Sequence, residues 1–77
     1  MVDTEILIQN LSDLFGVPKN MVTNKMTMEN SECWDSLKHM ALISMIEDIY
    51  NVSLSMDDIV RMVSIQEIIN VLTEKTH

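Results

Sequence analysis

Gly16 and Pro18 are the only glycine and the only proline in the chain, and they stand two positions apart. Strand meanders need tight turns, which draw on Gly and Pro at fixed places, so a chain punctuated at one point only is a poor candidate for one. Helices are favoured instead. The pair itself reads as a helix stop, with Gly16 at a left-handed C-cap and Pro18 just beyond it.

The apolar pattern agrees. Ile8, Leu11 and Phe15 recur at helical spacing ahead of that stop, with Leu7 and Leu14 widening the stripe. This predicts a first helix over 4–15, capped by Asp3 or Thr4. Residues 17 to 34 form a long connection, and connections beyond about 12–15 residues are uncommon in compact domains and often functional. Val22, Met26, Met28 and Trp34 can tack it onto the helices. A second helix is expected from about Ser36 to Tyr50, with Leu42, Ile46, Ile49 and Tyr50 facing the core and His39 and Ile43 at the edge of that stripe. Leu37, Met40, Ala41, Ser44 and Glu47 fall nearer the other side, an apolar excess on an outer face. Ser55 opens a short helix of about two turns that ends near Met62. Ser64-Ile65-Gln66-Glu67 has the S-x-x-E form of a capping box and opens a last helix, directing Ile65, Ile68, Ile69 and Leu72 inward. The expected fold class is all-α: a small four-helix bundle with three longer helices, one short third helix and a long first loop.

Size and composition limit what such a bundle can do. The 77 residues make one domain, 1–77, with a modest core, so carrying, binding or regulating suits it better than a deep catalytic cleft. A hydrophobic fraction of 47% argues against disorder. The apolar runs are too short to span a membrane, and Met1-Val2-Asp3-Thr4-Glu5 has no signal-peptide pattern. Cys33 is the single cysteine, which excludes an internal disulfide and fits a reducing, cytosolic setting. Twelve Asp and Glu against five Lys and Arg give a formal net charge of −7. That balance argues against nucleic acid as a partner and favours proteins with basic patches, although solubility alone would also account for it.

The most informative stretch is Trp34-Asp35-Ser36-Leu37. Asp35 can cap the second helix and leave Ser36 in its first turn, where unpaired backbone N–H groups and the positive end of the helix dipole favour an attached or approaching anion. Asp-Ser ahead of a helical pattern is most often only a cap. Here, however, the chain resembles the acyl carrier protein family. Asp35-Ser36-Leu37 matches the attachment motif of that family. The likeness extends to Phe15-Gly16, the long loop, the second helix to Tyr50, and Leu54, Met62 and Ile65.

The resemblance implies a non-catalytic carrier with 4′-phosphopantetheine, derived from coenzyme A, attached covalently to Ser36 by a phosphopantetheinyl transferase, with Asp35 and Leu37 flanking the site. Acyl or aminoacyl groups would ride on the arm as thioesters, presented to loading and processing enzymes with basic patches. It also implies a partner surface along the second and third helices: Asp35, Leu37, Lys38, Met40, Ala41, Glu47, Asp48, Asp57 and Asp58. An acyl pocket between those helices would be lined by Met28, Ile43, Ile46, Ile59 and Met62, and the same residues also read as ordinary core. Lys38 and Ala41 stand where the family often has carboxylates. Trp34 replaces a small residue, and Ser31-Glu32-Cys33 stands in place of an Asp-Leu-Gly-type signature. These departures point to a specialised biosynthetic pathway rather than housekeeping fatty acid synthesis. The carrier is expected to be a monomer.

Competing readings are weaker. His39 follows Ser36 by three positions, yet nothing supplies an orienting carboxylate or an oxyanion hole for a Ser–His pair, so packing or partner contact suits it better. Cys33, beside carboxylates, reads as loop packing. Asp57-Asp58 lacks the spacing and glycine of a calcium loop, and the scattered His and Cys residues give no zinc signature. The main alternative is a small acidic adaptor using its eight methionines to hold a partner helix, but these are spread over loops, helix starts and core positions. No helix carries the basic face that a DNA-binding helix-turn-helix would need.

Overall fold

A computed structural model describes residues 3–76. Met1 and Val2, part of the N-terminal stretch read above for a signal sequence, lie outside them, as does His77. Four helices follow one another, α1 (Thr4–Phe15), α2 (Ser36–Tyr50), α3 (Met56–Arg61) and α4 (Ile65–Lys75), with a 3-10 turn at Lys19–Met21. The described residues thus form the all-α arrangement expected, three longer helices and a short third one.

Local chemistry accounts for the helix ends. The Asp3 carboxylate accepts from Glu5 N and Ile6 N at 3.1 and 3.3 Å, satisfying two of the N–H groups that any helix start leaves unpaired. At the other end of α1, Gly16 takes φ +69°, the left-handed region that costs a residue without Cβ nothing. Its N–H and that of Val17 both return to Ser12 O. Ser12, buried here, donates its hydroxyl to Val17 O. The other left-handed residue, Asn51 at φ +52°, ends α2.

One core runs through the bundle. Leu7, Leu11 and Phe15 of α1 meet Leu42, Ile43 and Ile46 of α2 and Ile65, Ile68, Val71 and Leu72 of α4. Val22, Met26 and Trp34 join them from the long loop and Met62 from the end of α3, while Met28 is half-buried against the cluster. These four loop residues do tack the connection down. The first-helix stripe is rotated by one position from expectation: Leu7 is fully buried and Ile8 only partly. In α2, Ile49 remains 37% exposed rather than core-facing. The inward row His39–Ile43–Ile46 passes to Tyr50, whose hydroxyl donates to Asp3 O at 3.0 Å, leaving no inward slot for Ile49. In α4, Val71 is buried while Ile69 is only partly so.

One connection could not be read from local pattern. Met28 N donates to Val63 O at 2.8 Å and Ile65 N to Met26 O at 3.0 Å, an isolated antiparallel bridge Thr27–Ser64 that sews the loop to the α3–α4 junction. The reciprocal capping box is at α3 rather than α4. Ser55 Oγ accepts from Asp58 N while the Asp58 carboxylate accepts from Ser55 N. Ser64 Oγ does accept from Glu67 N, but the Glu67 carboxylate turns away to Arg61 and Asn70, so the expected box at α4 is only half made.

Candidate functional site

The start of α2 rests on a floor that holds it rigidly. Trp34, 2% exposed, lies with its ring centroid 5.2 Å from that of Phe15. Its indole N–H, which can only donate, reaches His39 Nδ1 at 3.1 Å. That nitrogen must therefore be the acceptor. The hydrogen sits on Nε2, which donates to Ile59 O at 2.8 Å. His39 is thus buried with both nitrogens engaged, and it has none to offer Ser36 as a general base. It has the packing role expected of it. A tryptophan needing an acceptor, five positions before a histidine on the inward face, was the sequence signal for this pair.

Above this floor, Asp35 is extended and its carboxylate accepts from Lys38 N at 2.9 Å, as an N-cap should. Ser36 is the first residue of α2 and is exposed. Its oxygen takes part in no hydrogen bond among the described residues. A helix start leaves backbone N–H groups unpaired and carries the positive end of the dipole, and of these the Asp35 carboxylate takes up Lys38 N.

The residues expected around the serine divide into two groups. Asp35, Leu37, Met40, Ala41, Asp48 and Asp57 are exposed, Leu37 at 83%. Leu37, Met40 and Ala41 share one face of α2, an apolar strip beginning beside the serine. The other three engage within the molecule. Lys38 donates its ammonium to Leu14 O at 3.0 Å, where a cation offsets the negative C-terminal end of α1. Glu47 accepts from Leu54 N at 2.9 Å and so braces the α2–α3 loop. Asp58 holds both Ser55 N and Lys75, and these hydrogen bonds lower its carboxyl to about 2.

The candidate pocket residues are just as divided. Ile43, Ile46 and Met62 are enclosed in the core, whereas Met28 and Ile59 are half-buried. Met28 lines a surface groove of about 420 Å³ with Thr27, Glu29, Val63 and Ser64. A second groove of about 460 Å³ lies over the long loop, walled by Val17, Met21, Met26 and Cys33.

Residues 5–72 match the family model described as phosphopantetheine attachment site. The chain belongs to that carrier family. Comparison with curated proteins finds no match. The carrier is not a catalyst but a substrate for enzymes, and its prosthetic group is a covalently held 4′-phosphopantetheine. The satisfied nitrogens of His39 are consistent with that division of labour. Among the described residues no helix is long and apolar enough to cross a membrane.

Proposed function

We propose that Ser36 is the attachment residue and that the carrier presents acyl or aminoacyl groups to the enzymes of a specialised biosynthetic pathway. The observation that carries this reading is the exposed, unengaged Ser36 hydroxyl in the first turn of α2. A phosphodiester there meets the N–H groups of a helix start, and the hydroxyl is accessible to a transferase. The arm supplies a thiol for thioester linkage. The chain's own part is to hold that hydroxyl on the rigid Trp34–His39 floor and to offer a recognition surface beside it.

That surface is the apolar strip Leu37, Met40 and Ala41, rimmed by the exposed carboxylates Asp35, Asp48 and Asp57. Partners with an apolar contact inside a basic rim fit it. Lys38, Glu47 and Asp58 belong to it less directly, because their side chains already serve the fold. Trp34 as a floor residue and the apolar position at Ala41 support a specialised partner set. The acyl pocket is assigned to the α2–α3 seam beside Ile43, Ile46, Ile59 and Met62, with Met28 at its rim. A monomer in the cytosol completes the reading, supported by the single free cysteine.

The test is incubation with coenzyme A and a broad-specificity phosphopantetheinyl transferase, followed by intact mass. One phosphopantetheine should be gained by the natural chain and none by Ser36→Ala, with Ser36→Ala keeping its helical circular dichroism. A gain that survives Ser36→Ala would overturn the assignment.

A further inference from the structure

Three parts of the molecule meet at His39. The indole of Trp34 donates to it from the loop just ahead of Ser36, its own backbone belongs to α2, and it donates to Ile59 O in α3. The Ile59 carbonyl is an orphan of a helix end. The N–H that would normally reach it, Val63 N, turns instead to Arg61 O at 2.8 Å. Among the described residues, His39–Ile59 is the sole side-chain hydrogen bond between α2 and α3.

No residue of α3 is fully buried. On its α4 side the short helix is clasped by ion pairs from Arg61 to Glu67 and Glu74 and from Asp58 to Lys75. Its α2 side therefore yields first, and the bond that must be given up is the one to His39. Ile43 and Ile46 of the same helix as His39, and Met62 at the end of α3, are all enclosed in the core.

We infer that His39 is the gate of the α2–α3 seam, a specificity-determining residue that sets the shortest acyl group the carrier can shelter. This rests on the carrier and pocket reading above. Opening costs a fixed amount, because Ile59 O loses its partner and the imidazole its anchor. The return grows with every methylene taken from water. Short acyl groups therefore stay outside on the arm. Long ones enter, and as they do His39 and the Trp34 indole bonded to it shift together. Trp34 is the only tryptophan in the chain, so its indole reports on the gate without ambiguity.

The experiment loads the full chain at Ser36 from acetyl-, butyryl-, octanoyl- and dodecanoyl-coenzyme A with the transferase. Two quantities are read: the rate of thioester cleavage by hydroxylamine and the indole N–H cross-peak of Trp34. In the natural chain, acetyl and butyryl forms should cleave at the rate of an exposed thioester and leave the cross-peak in place. The longer forms should cleave several-fold more slowly with the cross-peak shifted. His39→Leu should bring protection to a shorter acyl group. His39→Gln, which can again donate to Ile59 O, should return the threshold toward the longer chains. Protection with an unmoved indole would overturn the gate while leaving the pocket. Absence of protection at every length in both the natural chain and His39→Leu would overturn gate and pocket together, and the mass gain at Ser36 would still stand for the carrier. Failure to load at all would overturn the carrier reading itself. Should His39→Leu not fold, the behaviour of the indole in the natural chain decides.

Discussion

The short helix α3 is held on its two sides by different physics. Toward α4 it is clasped by charge: Arg61 spans Glu67 and Glu74 at 2.7 Å each, and Lys75 meets Asp58 at 2.9 Å. Toward α2 it has one side-chain hydrogen bond, from His39 to Ile59 O, backed by apolar contact. The clasp lies at the surface, where ion pairs are screened and individually weak, but several act on one helix. The α2 side is half-buried, where a single unpaired group is costly. The contrast teaches that a six-residue helix without a buried residue of its own can be held in place by several ion pairs on one side and a single side-chain hydrogen bond on the other.

The comparison breaks most visibly at its buried end. Trp34→Ala removes the indole under the start of α2 and should cost about 3–5 kcal/mol, the range for a large aromatic in a core. Denaturant unfolding checks this, and a loss below about 1 kcal/mol would mean that the floor is not structural. Next comes His39→Ala, which strands the Trp34 N–H and Ile59 O; each stranded group should cost about 1–3 kcal/mol. Hydrogen exchange should localise the effect, with α3 amides losing protection more than those of α1.

The charged side should respond to pH through its carboxylates. Arg61 lowers the carboxyls of Glu67 and Glu74 through hydrogen bonds, and the Ser55 backbone and Lys75 lower Asp58 to about 2. Groups with depressed values contribute stability that is fully present above the ordinary carboxylate range and is lost as pH falls through their lowered values. Arg61→Ala should therefore reduce Tm at neutral pH, and its gap from the natural chain should narrow as pH falls below the ordinary carboxylate range, through the lowered values of Glu67 and Glu74. A gap independent of pH would show that Arg61 acts by packing. The smallest effect on the fold is expected from Asp48→Lys, an exposed change within about ±0.5 kcal/mol. It should nonetheless raise the KM of a partner enzyme that reads the rim of α2, with less effect at high salt.

What could be read from the chain follows the reach of each interaction. Thr4–Phe15 and Ser36–Tyr50 were expected at the bounds they have, because Asp3, Gly16 and Asp35 settle those ends with partners a few positions away. Asp35 and Ser36 were legible for the same reason. Lys38, Glu47 and Asp58 looked like free surface charges until Leu14, Leu54 and Lys75 claimed them, and those partners are tertiary. Glu67 was given to its own helix cap because the rival, Arg61, precedes it across the α3–α4 turn. The Thr27–Ser64 bridge joins segments with no shared pattern at all. The Ile8-for-Leu7 rotation and the exposed Ile49 have a related cause: periodicity locates a stripe only to within one position until a neighbour selects the row.

All of this turns on one oxygen. Tandem mass spectrometry of the chain after reaction with coenzyme A and a transferase would place the modification directly. Fragments should assign the phosphopantetheine to Ser36, the exposed first residue of α2, and leave the nearby Ser31 and Ser44 unmodified. Modification at either of those serines, or none on a folded chain, would contradict the account.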